Sequence, residues 1–107
     1  SPTTRVLWIY AHEFRHFLQA CGAVDLMQLK DFLTKRHAVE RFSGRGTQLE
    51  KPDELDCELF AKEVVNELAG QEAYSRYLAD CRTEPGGEQY FRRLIELERF
   101  LQREGVG

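Results

Sequence analysis

Two histidines four residues apart, with a glutamate directly after the first, make the segment His12-Glu13-Phe14-Arg15-His16 the most chemically loaded stretch of this chain. On a helix, residues i and i+4 project from one face. Both imidazoles can then reach a single zinc ion while Glu13 approaches a metal-bound water. Later in the chain, Glu54 and Glu58 repeat the i, i+4 spacing, so that a carboxylate there can reach toward a neighbouring helix.

The run Ala11-His12-Glu13-Phe14-Arg15-His16 resembles the signature helix of the zincin metallopeptidases, H-E-x-x-H, and matches its three defining positions. Glu54-Leu55-Asp56-Cys57-Glu58-Leu59-Phe60-Ala61 resembles the later element of the subgroup that uses a glutamate as third ligand, with Glu58 standing where an aspartate is usual. The resemblance implies zinc held by His12, His16 and Glu54, peptide hydrolysis with Glu13 as catalytic base, and Glu58 as the outer acceptor that orients one ligand imidazole. The chain departs from the family pattern at three places. Arg15 is a cation between the ligand positions. The interval from His16 to Glu54 contains a whole predicted helix. Eleven residues precede His12, too few for the substrate-aligning sheet that the family builds upstream.

The elements that must position these side chains read as helices. Gly22, the Ser43-Gly44-Arg45-Gly46 cluster, Pro52, Gly70 and Pro85-Gly86-Gly87 punctuate the chain into five segments. The first, about residues 5–21, gathers Val6, Tyr10, Phe14, Phe17, Leu18 and Cys21 on an apolar face and stops at Gly22. His12 and His16 then fall on the opposite side, beside Arg5, Arg15 and Gln19. Its opening, Arg5 to Tyr10, also suits a short buried strand. The second segment starts at Asp25, with Gln28 in capping-box position, and carries Leu26, Leu29, Phe32 and Leu33. The third runs from about Asp53 to Ala69 behind Pro52, with Cys57, Phe60, Ala61, Val64 and Leu68 as its stripe. The fourth, about Gln71 to Arg82, carries Tyr74, Tyr77, Leu78 and Cys81; the fifth, about Glu88 to Arg103, carries Phe91, Leu94, Ile95 and Leu101. Such segments cover one another's apolar stripes by packing as a compact all-α bundle, a single domain over residues 1–107.

Composition narrows the function classes. Fifteen basic residues against 18 acidic ones leave a net charge of −3, which offers no broad field for a phosphate backbone, so nucleic acid is not an expected partner. Cys21, Cys57 and Cys81 are odd in number, widely spaced and without a C-x-x-C pair. They read as small core residues of an intracellular protein, cytoplasmic or nuclear, rather than a disulfide framework. The longest apolar run, Val6 to Ala11, is too short to cross a bilayer, and no membrane partner is expected. Trp8 lies off the first helix's stripe, where it can serve as an interface anchor or as core. Arg36 and Arg41 belong to a basic stretch that suits an acidic partner or simply complements a helix C-terminus. The segment from Phe60 to Leu78 is faintly similar to the closing helices of regulator-of-G-protein-signalling domains, a fold for which the rest of the chain is too short.

The favoured expectation is a small helical protein–protein interaction module: an adaptor, an inhibitor or a binding domain of a larger chain. Its partner would be another protein or peptide, it would need no cofactor, and His12 and His16 would lie on a solvated face. The alternative is a zinc-dependent metallopeptidase-like hydrolase that uses HEFRH.

Overall fold

The computed structural model describes residues 2–39 and 51–103, with the side chains of residues 3–33 and 51–103. These residues form α1 (Pro2–Ala20), α2 (Met27–Val39), α3 (Pro52–Leu68), α4 (Gln71–Arg82) and α5 (Gly87–Arg103), with no strand among them. The fold is an all-α bundle. The run from Arg5 to Tyr10 resolves as helix, since helical spacing aligns Thr4, Trp8 and Ala11 on one inward row, all three buried.

Local chemistry sets the helix ends. α1 stops in a Schellman turn: the Ala23 N–H donates to the Leu18 carbonyl at 3.0 Å and the Gly22 N–H to that of Gln19 at 3.1 Å. Gly22 takes the left-handed conformation this turn requires, with φ of +76°. At the start of α2, Asp25 Oδ1 accepts the Met27 N–H at 2.9 Å. The anticipated side-chain cap is therefore made, but it reaches the residue two positions on rather than three. Pro52 opens α3, where its missing N–H removes nothing from the helix ladder.

α3 is the centre of the bundle and packs against all four other helices. Its Leu55, Cys57, Ala61 and Val65 are completely buried, as is Leu97 of α5, and Leu94 beside it is nearly so. Trp8 of α1 enters this core at 4% exposure. It stacks on Tyr77 at 5.0 Å and on Tyr74 at 6.2 Å, and meets Phe91 edge-on at 6.1 Å. Of the two roles the sequence left open, Trp8 takes the core one: its large apolar ring closes the junction of α1, α4 and α5.

The expected stripes of α2, α4 and α5 hold, with Leu29, Leu33, Tyr74, Tyr77, Cys81, Phe91, Leu94 and Leu101 all buried. α1 is reversed. Val6, Tyr10, Phe14, Phe17 and Cys21 face outward, and the side bearing His12, Arg15 and Gln19 turns toward α3. Leu68, expected on the α3 stripe, is 73% exposed because that helix buries its Leu55, Ala61, Val65 row instead.

Leu94→Ala should therefore cost on the order of 2–5 kcal/mol, whereas Glu67→Ala, on the exposed side of α3, should cost within about 0.5 kcal/mol. Urea denaturation of both variants checks the assignment; equal small losses would contradict the described core.

Candidate functional site

α1 meets α3 along a polar seam, which a helix pair tolerates only when each buried polar group finds a partner. Its most buried carboxylate is Glu58, 9% exposed. Its Oε2 accepts the Trp8 indole N–H at 2.7 Å, and its Oε1 lies 3.1 Å from His12 Nδ1. Tyr90 of α5 lies near the same carboxylate. Burial first, and then the charge of Glu58, hold the Tyr90 phenol far above its ordinary range, so it stays protonated.

One turn earlier on α3, Glu54 spans both histidines. Its Oε2 stands 3.1 Å from His12 Nε2 and its Oε1 stands 3.1 Å from His16 Nε2. The two imidazoles meet edge to face with ring centres 4.9 Å apart. His16 Nδ1 in turn lies 3.1 Å from Gln19 Oε1. The Gln19 amide nitrogen donates to the Asp53 carbonyl at 3.0 Å, to Asp56 Oδ2 at 2.9 Å and to Cys57 Sγ at 3.4 Å.

Arg15, the cation between the two histidines in sequence, is turned aside. It forms a two-pronged pair with Asp56, Nε to Oδ2 at 2.8 Å and Nη2 to Oδ1 at 3.1 Å, and lies over the Phe60 ring at 4.8 Å. The hydrogen bond to Asp56 raises its already high pKa against the opposing effect of burial. Its charge is therefore committed to Asp56, and the histidine cluster does not face an unpaired cation.

The structure thus brings together His12, His16, Glu54 and Glu58, with Glu58 on His12 Nδ1 as an outer acceptor. Glu13 lies apart from them in exposure: it is solvent-facing, while the two histidines are half-buried. Arg36 belongs to α2 with its side chain outside the described part, and Arg41 lies outside the described residues. A cleft of about 510 Å³ opens beside Arg15, lined by residues such as Asp25, Leu29, Asp56 and Glu63, and the histidines are not among its walls.

Sequence reasoning passed over Gln19, Asp56 and Cys57. Helical spacing carried a signal for two of them: Gln19 follows His16 by three residues, and Cys57 follows Glu54 by three, on the face that meets α1. Cys57 was read only as an apolar filler. It is buried, and its thiol is pushed up to about 12, first by burial and then by the charges of Asp56, Glu54 and Asp53. Donor atoms of His12, His16 and Cys57 lie within 4.8 Å of one another, as do those of His16, Asp53 and Glu54.

Because Glu58 is the acceptor for a buried indole N–H, Glu58→Ala should cost about 1–3 kcal/mol, and Glu58→Gln, which keeps an acceptor oxygen, should cost less. Denaturation midpoints of the two variants measure this ordering; equal costs would argue against the carboxylate oxygen as the critical atom. No family model matches the chain, and neither a curated protein nor a solved structure is similar to it.

Proposed function

We propose that this chain is a small helical protein–protein interaction module that engages another protein through the outward face of α1. The observation that carries this reading is the row Val6, Ile9, Tyr10, Phe14 and Phe17, exposed from 49% at Val6 to 71% at Tyr10. Their i, i+3, i+4, i+8, i+11 spacing makes one stripe along the helix. Phe14 and Phe17 stack at 6.3 Å, and Phe14 lies 6.5 Å from Phe60, which extends the stripe onto α3. From the usual areas of such side chains the stripe presents roughly 500 Å² of apolar surface. A contiguous patch of that size is on the order of the largest on a typical monomer, and such patches are often functional.

Glu13 sits in the same row, seven residues after Val6. The complementary surface is accordingly an apolar groove or helix face with one basic group near its middle, the chemistry of helix-in-groove recognition. No helix of the described residues is long and apolar enough to cross a membrane.

Two measurements test the proposal. Tyr10→Glu combined with Phe17→Glu should leave the melting temperature within a few degrees of wild type, because neither side chain is core. A photo-crosslinking residue at Ile9 should yield a discrete protein adduct that the double variant loses and that a crosslinker at exposed Ser75 does not give. Unfolding of the double variant, or no adduct specific to Ile9, would reject the reading.

A second reading is favoured by one observation, the placement of Glu54 at 3.1 Å from both histidine Nε2 atoms. A zinc-dependent metallopeptidase-like hydrolase would hold its metal with His12, His16 and Glu54, use Glu13 as base and orient His12 through Glu58. Zinc should then raise the melting temperature of wild type, His12→Ala, His16→Ala and Glu54→Ala should each abolish the increment, and Glu13→Gln should keep the increment while losing peptidase activity. Retained activity in Glu13→Gln would exclude this mechanism. This reading stands second because Glu13 is exposed while the two histidines are half-buried.

A further inference from the structure

All four ring nitrogens of His12 and His16 face oxygen acceptors: Glu58 and Glu54 for His12, Gln19 and Glu54 for His16. A divalent cation held by the Nε2 atom of each ring would leave each Nδ1 to donate, and Glu58 Oε1 and Gln19 Oε1 stand 3.1 Å from the two Nδ1 atoms as acceptors. That is the outer hydrogen-bonding pattern of a metal-bound histidine.

Cys57 adds a third donor. Its sulfur belongs to the same group of donor atoms as the histidines, all within 4.8 Å of one another, and it lies one turn from Glu54 on the face of α3 that meets α1. With Zn–N distances of about 2.0–2.1 Å and Zn–S of about 2.3 Å, donor pairs in a tetrahedral site stand roughly 3.3–3.8 Å apart.

We propose that α1 and α3 are clasped by one zinc-type divalent metal held by His12, His16 and Cys57, with a Glu54 oxygen as fourth donor. The site is closed and structural. The thiolate and the carboxylate offset the two positive charges of the ion, and each donor that carries a proton releases it to solvent on binding. The proposal rests on the metal-binding part of the hydrolase reading and departs from it at Cys57, which fills the position a hydrolase keeps for water. Its role would be to fix the polar side of α1 on α3 and so hold the apolar stripe outward.

Titration with Co²⁺ tests this directly, because a thiolate ligand gives a near-ultraviolet charge-transfer band that histidine and carboxylate ligands do not. Wild type should take up one equivalent with that band and with the intense visible absorption of a four-coordinate ion, and Zn²⁺ should displace it. Cys21→Ser should behave as wild type. Cys57→Ser, checked by circular dichroism to be folded without metal, should lose the band and bind more weakly by more than the roughly 10–100-fold that loss of an outer partner costs. Stoichiometric cobalt without the band, or a band that survives in Cys57→Ser, would overturn the role of Cys57 while leaving the three-donor hydrolase set standing. Failure of wild type to bind one equivalent of Co²⁺ or Zn²⁺ would overturn both.

Discussion

A buried carboxylate must be met by donors, and in this bundle the carboxylate of Glu58 decides how the pieces fit. Placed on the central helix at 9% exposure, it accepts the indole N–H of Trp8 and meets a ring nitrogen of His12, with the Tyr90 phenol nearby. These groups come from α1 and α5 and lie far from Glu58 in sequence. Leaving any of them unpaired in the interior would cost a substantial part of a small domain's stability. The same bond that satisfies Glu58 also draws Trp8 inward, where its ring builds the aromatic stack with Tyr74, Tyr77 and Phe91. Polar satisfaction and apolar burial are achieved here by the same residue.

Once Trp8 and His12 are turned to α3, the rest of α1 has no freedom of rotation. Arg15 comes next along the inward row and finds Asp56; Gln19 follows and ties Asp56, Cys57 and the Asp53 carbonyl to His16. The opposite side of the helix, with Val6, Ile9, Tyr10, Phe14 and Phe17, is consequently left toward solvent. An amphipathic helix that presents its polar side to the protein and its apolar side outward is inverted relative to the usual arrangement. The inversion is stable because the seam is a connected network in which each polar group has a partner. It also joins the two proposals: whatever holds the seam together holds the apolar stripe available to a partner.

The bundle itself was legible from residue order. The boundaries of α4 coincide with the segment read from the sequence, and those of α3 and α5 fall within one residue at each end, since Pro52, Gly70 and the Pro85-Gly86-Gly87 turn act on the backbone next to them. The stripes of α2, α4 and α5 also followed from periodicity, because each of these helices buries the face with most apolar atoms. For α1 the same rule pointed the wrong way. Periodicity identifies two faces of a helix but contains no term for the carboxylates that a distant helix will offer, and those carboxylates decided which face went inside.

His12, His16, Glu54 and Glu58 were marked by type and spacing alone, since i and i+4 positions share a helix face in any helix. That they converge, with Glu54 spanning both imidazoles, depended on the packing of α1 against α3. Asp56, Gln19 and Cys57 became part of the site only through that packing, because each acts on a residue more than thirty positions away. The sequence by itself determined five helices and the residues on each of their faces, because turns, caps and periodicity are local. Which face of α1 is buried, and which donors meet between α1 and α3, was decided by the tertiary structure, because the cost of a buried unpaired charge is set by what stands opposite it in space.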